Sequence, residues 1–209
     1  MAISITYNSA FGDISIQDVL SVWSTGFKTA GHGTGNTGGF NTGTGQYDGE
    51  QYATHGANGS QYAYIAGSDT TDGLHYVYNP LVSPGDNMNH YLWGELDSVQ
   101  LGTDLNGGSG SPFTLDDYFV SFNGLDLSAA SDAGRAGNAV QDVIYGLMRG
   151  NVAGLEGVLN TLLSEFNLST DSTFDQLAAA GLAHADTAFA ADIGLVGVQD
   201  AAQDWALAA

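Results

Sequence analysis

Residues 90–102, HYLWGELDSVQLG, set the architecture of this chain. The run is aromatic and β-branched, and it mostly alternates apolar with polar or small residues, the pattern of a half-buried strand. Three similar runs surround it: SQYAYIAG (60–67), GLHYVYN (73–79) and DYFVSFNGLDL (117–127), separated by Gly, Asp, Asn and Pro. Neighbouring runs joined by turn residues favour an antiparallel sheet.

Toward the N-terminus, ISITYN predicts a first strand over residues 3 to 7. Ser15 is placed to cap a helix, with Asp18 three residues on approximating a capping box. Ile16, Val19, Leu20, Trp23 and Phe27 then recur at spacings of three and four, one apolar helical face. From Ala30 to Gly59 the composition changes to Gly, Thr and Asn, which reads as a long loop. Phe40, Tyr47 and Tyr52 within it suit a loop folded onto something apolar. Toward the C-terminus, RAGNAVQDVIYGLMRG, VAGLEGVLNTLLSEF and STFDQLAAAGLAHA carry helical periodicity, and Thr173 and Gln176 match capping-box spacing. Strands bunched in the middle with helices after them describe one α+β domain, the helices packed on one face of the sheet.

Composition narrows the function. A chain of 209 residues, 43% hydrophobic, supports one core. Its formal charge of -20 sets 23 acidic residues against Lys28, Arg135 and Arg149, which disfavours nucleic acid and anionic membrane surfaces as partners. Without cysteine there are no disulfides and no thiolate metal ligands. MAISITYNSAFGD lacks the basic and apolar regions of a Sec signal, and no apolar run reaches membrane-spanning length. The closing AAQDWALAA is small, acidic and apolar, a composition shared by uncleaved C-terminal secretion signals and by frayed termini. No GxxxxGK[ST], GxGxxG opening a helix, GxSxG or HExxH is present, and GGSGSP at 107–112 breaks the calcium-binding GGxGxD nonapeptide. Composition equally permits a secreted carbohydrate-binding or adhesive β-rich module.

Several ordered blocks carry a resemblance over nearly the whole chain: NTGGFN after His32, LHY at 74–76, HYLWGELDS at 90–98, IYGLM at 144–148 and STFDQLAAA at 172–180. Together they resemble the secreted haem-scavenging hemophores of the HasA type. The resemblance implies a curved antiparallel sheet backed by helices, with haem held at one end between two loops. It implies a haem-binding domain over 1–185 and a tail over 186–209 carrying a type I (ABC exporter) secretion signal. It also implies an extracellular, monomeric, non-enzymatic carrier of haem b (ferric protoporphyrin IX). Its partners are then an ABC-type exporter during secretion, host haemoproteins as the haem source and a β-barrel outer-membrane receptor, with no membrane insertion.

Residue by residue, the resemblance makes His32 and Tyr76 the axial iron ligands, with His90 hydrogen-bonded to the Tyr76 oxygen. It places Tyr52, Tyr145 and Met148 near the haem. Phenol ionises near pH 10, so ferric iron and an acceptor at the phenol oxygen are both needed to favour phenolate. An anionic oxygen ligand holds iron ferric, and two filled axial positions leave none for peroxide or oxygen. The Gly-rich setting of His32 suggests that this ligand releases first. Two departures stand out. VYNPLVSPGDNMN (77–89) is a longer connection than the resemblance suggests, so Tyr78 and Tyr91 compete with Tyr76; and Gln141 stands where a histidine is expected. Among the other histidines, His75 is expected on the opposite side of its strand from Tyr76, His55 in solvent and His184 at a helix end.

Overall fold

In a computed structural model, described over residues 3–27, 38–42 and 47–186, a large open sheet is covered by four helices. The strands and helices run in chain order as β1 (Ser4–Asn8), α1 (Ile16–Phe27), β2 (Gly39–Phe40), β3 (Asp48–Gly49), β4 (Gln51–His55), β5 (Tyr62–Gly67) and β6 (Leu74–Val77). They continue as β7 (Tyr91–Gly108), β8 (Ser111–Ala129), α2 (Ala139–Met148), α3 (Ala153–Ser164), α4 (Phe174–Ala179) and β9 (Ala183–Asp186). The main strand order is β2-β4-β5-β7-β8-β1-β9, with β6 joining β3 to β7.

The β7–β8 hairpin is the spine. It turns through Gly107, Gly108, Ser109 and Gly110, all with positive φ; a Cβ on Gly107 would lie 2.0 Å from the Pro112 carbonyl oxygen. β7 has two neighbours on one edge: Ser98–Thr103 pair with β5, and Tyr91–Gly94 pair with β6. A register shift against β8 between Leu96 and Ser98 lies where the neighbour changes, as expected of an irregularity that bends a strand. Gly94, at φ 107, is where β6 comes closest, since a Cβ there would stand 2.2 Å from Gly73 O.

Along β1, Ile5 and Tyr7 are buried while Ser4, Thr6 and Asn8 are not, so one side of the sheet faces the core. The five apolar residues read from α1 are all buried, and the Trp23 indole N–H donates to Ala63 O on β5 at 2.9 Å. Asp18 N–H bonds the Ser15 hydroxyl, and Thr173 and Gln176 form a full capping box. Val140, Val143, Ile144 and Leu147 of α2 join Leu155, Leu159 and Leu163 of α3 in one hydrophobic cluster with β1, β7 and β8.

Three sequence expectations are corrected. The sheet is mixed, because β9 runs parallel to β1 with Ile5 opposite Ala183. His184 therefore lies on a strand, its Nε2 3.0 Å from the Thr6 hydroxyl, and not at a helix end. Gly181 (φ 77) ends α4, after which the chain extends along the open edge of β1. Third, the span 30–59 is not all loop: β2 and β3 fall inside it, and β4 is a full strand paired with β5. No described helix is long and apolar enough to cross a membrane.

Candidate ligand-binding site

Tyr76 is held by backbone on both sides. It pairs with Leu92 on β7, and its N–H donates to Tyr47 O at 2.7 Å. The next residues leave the sheet and return at His90 after an excursion organised by one buried amide. Asn89 is 1% exposed. Its Nδ2 donates to Asn79 O and Val82 O (3.0 Å each) and to Ser83 O (3.4 Å), while its Oδ1 accepts from the N–H groups of Asn79 (2.8 Å) and His90 (3.1 Å). Arg135 closes the same excursion from outside: its Nη2 donates to Pro84 O and Asp86 O, and its backbone N–H to Asn87.

The chain re-enters the sheet through His90 at φ 55, the left-handed region that histidine visits more readily than most residues. The result is a contact between Tyr76 Oη and His90 Nδ1 of 2.5 Å. Burial, together with the phenols of Tyr47, Tyr78 and Tyr145, raises the Tyr76 pKa above the ordinary tyrosine value, while the Arg135 guanidinium pulls it down. A neutral phenol donates here when His90 carries its proton on Nε2, which leaves the Nδ1 lone pair as the acceptor. Neither Tyr78 nor Tyr91 takes the place of Tyr76 against His90 Nδ1. Tyr78 is half-exposed beside the outer face of His90, ring centroids 5.0 Å apart. Tyr91 is 2% exposed, its hydroxyl committed to Ser131 O at 2.6 Å.

Tyr76 and His90 open into a cavity of about 490 Å³, whose wall also includes Phe40, Tyr52, Leu92, Tyr145 and Met148. That volume lies within the usual range for a small-molecule site. Helix α2 supplies one side because Gln141, Tyr145 and Met148 fall at spacings of four and three on one face. Its Gln141 Oε1 accepts from Leu92 N–H at 2.7 Å, and Asn138 Nδ2 donates to Leu92 O at 2.8 Å, so α2 grips β7 directly beneath the cavity. Tyr52 donates to Met148 Sδ at 3.4 Å and stands edge-on to Phe40. Burial keeps its phenol protonated far into the alkaline range.

Of the residues singled out from the sequence, Tyr76, His90, Tyr52, Tyr145 and Met148 all line this cavity. His32 lies outside the described residues. His75 points elsewhere, stacked on Trp93 at 4.0 Å with Asp72 3.7 Å from its Nε2. His55 is exposed as expected. Phe40 and Tyr47, read from the sequence as aromatics of a loop folded onto something apolar, line the cavity too, whereas sequence reading missed the cavity role of Arg135 and the organising role of Asn89. A buried asparagine leaves no signal in sequence, but an arginine in so acidic a chain does.

The donor set suits a flat, largely apolar group that brings its own metal. Aromatic rings and Met148 provide the walls, and the phenol–imidazole pair sets an oxygen able to ligate a metal beside a nitrogen able to take its proton. A bare ion is poorly served, since the described residues contain no cluster of three or more His, Asp or Glu able to hold one.

A family model described as Heme-binding protein A (HasA) matches residues 1–209. Hemophore HasA of Serratia marcescens is 39% identical over 193 residues, covering 90% of this chain and 97% of that protein. The fold is similar to the apo structure of the hemophore HasA from Yersinia pestis in its hexagonal form, with TM-score 0.71 and 25% identity over 88% of this chain and 99% of that one. The holo hemophore HasA of Yersinia pestis gives TM-score 0.70 with the same identity and coverage.

Proposed function

The chain belongs to the HasA family of haem-binding proteins, and from that membership we propose that it is an extracellular hemophore that captures ferric haem b and hands it to an outer-membrane receptor for iron uptake. The observation that carries this reading is the Tyr76–His90 pair set in the wall of an aromatic cavity of haem-compatible size. Tyr76 is the iron ligand on this side and His32 the second. Tyr52, Tyr145 and Met148 contact the porphyrin face or edge.

His90 makes the phenol a usable ligand. His90 Nδ1, 2.5 Å from the Tyr76 oxygen, would take the phenol proton were ferric iron bound there, so the anionic form would not need a proton to cross first to bulk water. Phenolate favours ferric over ferrous iron, which suits a carrier that stores oxidised haem and performs no redox cycle on it. Host haemoproteins are the source of the haem, and an ABC-type exporter reads the tail beginning near residue 186.

The test is haem transfer. Apoprotein mixed with methaemoglobin should take up haem in a one-to-one complex that survives gel filtration. Failure to acquire haem either from methaemoglobin or from free ferric haem overturns the proposal.

A further inference from the structure

The chain has three cationic side chains against 23 acidic ones; one of them lines the cavity and a second lies against a residue of its wall. Arg135 lines it directly. Arg149, the residue that caps the C-terminus of α2, lies 5.6 Å from the ring centroid of Tyr145, itself part of the wall. Among the described residues neither guanidinium is within ion-pair distance of a carboxylate. That is unexpected in a chain so rich in Asp and Glu. Among the described residues the Arg135 guanidinium donates only through Nη2, to two backbone carbonyls, and its Nη1 and Nε donors have no partner there.

A field set by a net charge of -20 repels an anionic ligand at long range. A site that nonetheless takes one must present cations locally, and guanidinium matches carboxylate geometry better than any other side chain. We propose that Arg135 and Arg149 read the carboxylate groups of the ligand, so that the cavity selects a porphyrin carrying free acid side chains over the same macrocycle with those acids esterified. This rests on the haem-carrier reading and adds to it which edge of the macrocycle faces these arginines: the acidic one.

Both arginines have structural work as well. Arg135 holds the 79–89 excursion, and Arg149 caps α2. A purely structural role would lower affinity for acid and ester alike, so selectivity is the informative quantity. Apoprotein, Arg135→Gln and Arg149→Gln are titrated with ferric protoporphyrin IX and with its dimethyl ester. The wild type is expected to prefer the diacid, with that preference falling roughly fivefold or more in each variant and weakening with added salt. A diacid-to-ester ratio unchanged in both variants, with binding retained, overturns the role of the arginines alone. No binding of either porphyrin by the wild type overturns the haem-carrier reading and this inference together.

Discussion

Tyr76 and His90 meet across thirteen intervening residues, phenol oxygen 2.5 Å from imidazole Nδ1. The contact needs two backbone devices: β6 clamped between β7 and the Tyr47 carbonyl, and a left-handed turn at His90. Replacing His90 with Ala should leave the fold intact and lower ferric-haem affinity by roughly tenfold, the scale of one charge-assisted hydrogen bond. Titrations followed by absorbance decide this; an unchanged affinity would remove His90 from the ligand's support.

Asn89 holds the excursion between those two residues with five hydrogen bonds to backbone groups. Asn89→Ala strands several buried polar groups and should cost about 2 to 4 kcal/mol. Denaturant unfolding measures that loss, and haem affinity should fall with it because His90 follows directly in the chain. Wild-type stability in this variant would mean that the loop is held by other means.

Gln141 joins α2 to β7 through the Leu92 N–H. Gln141→Leu should destabilise the protein by about 1 to 3 kcal/mol by leaving that donor unpaired. Gln141→His would restore the imidazole that the family resemblance leads one to expect, and should change the pH dependence of haem binding. An identical pH profile for Gln141→His and wild type would contradict this.

Several tyrosines hold their protons tightly. Burial raises Tyr64 well above the ordinary value and pushes Tyr118 up to about 12. Below about pH 10 both folded and unfolded chains keep these protons, and stability is full. Above it the unfolded chain ionises first, so stability should fall as pH rises toward the folded-state values. Unfolding midpoints measured from pH 8 to 12 should show this loss, and Tyr64→Phe should make it shallower. A flat profile above pH 10 would mean that these phenols ionise without cost in the folded protein.

Most of the fold was legible because it is local. Alternation marked β1, β5, β6, β7 and β8, and the three-four spacing in α1 named its five buried residues correctly. What escaped was set by distant partners. β4 hides in Gly-rich sequence and is a strand because β5 lies beside it. The residues of β9 are Ala-rich and read as helix until Gly181 turns them along β1. The hairpin extends to Gly108 and Ser111 through residues whose propensity is weak but whose cross-strand partners are present. In the site, ordered motifs pointed to Tyr76 and His90, but no periodicity could bring them together across Pro80 and Pro84. That approach depends on Asn89 and Arg135, whose bonds are tertiary.

The central claim is that Tyr76 carries the iron. Purified apoprotein, Tyr76→Ala and His32→Ala should be titrated with ferric haem, following the Soret band and the electron paramagnetic resonance spectrum. The account predicts a saturable one-to-one complex for wild type, a changed spectrum with retained binding in His32→Ala, and a larger loss of affinity in Tyr76→Ala. A wild-type ferric spectrum left unaltered by Tyr76→Ala would contradict it.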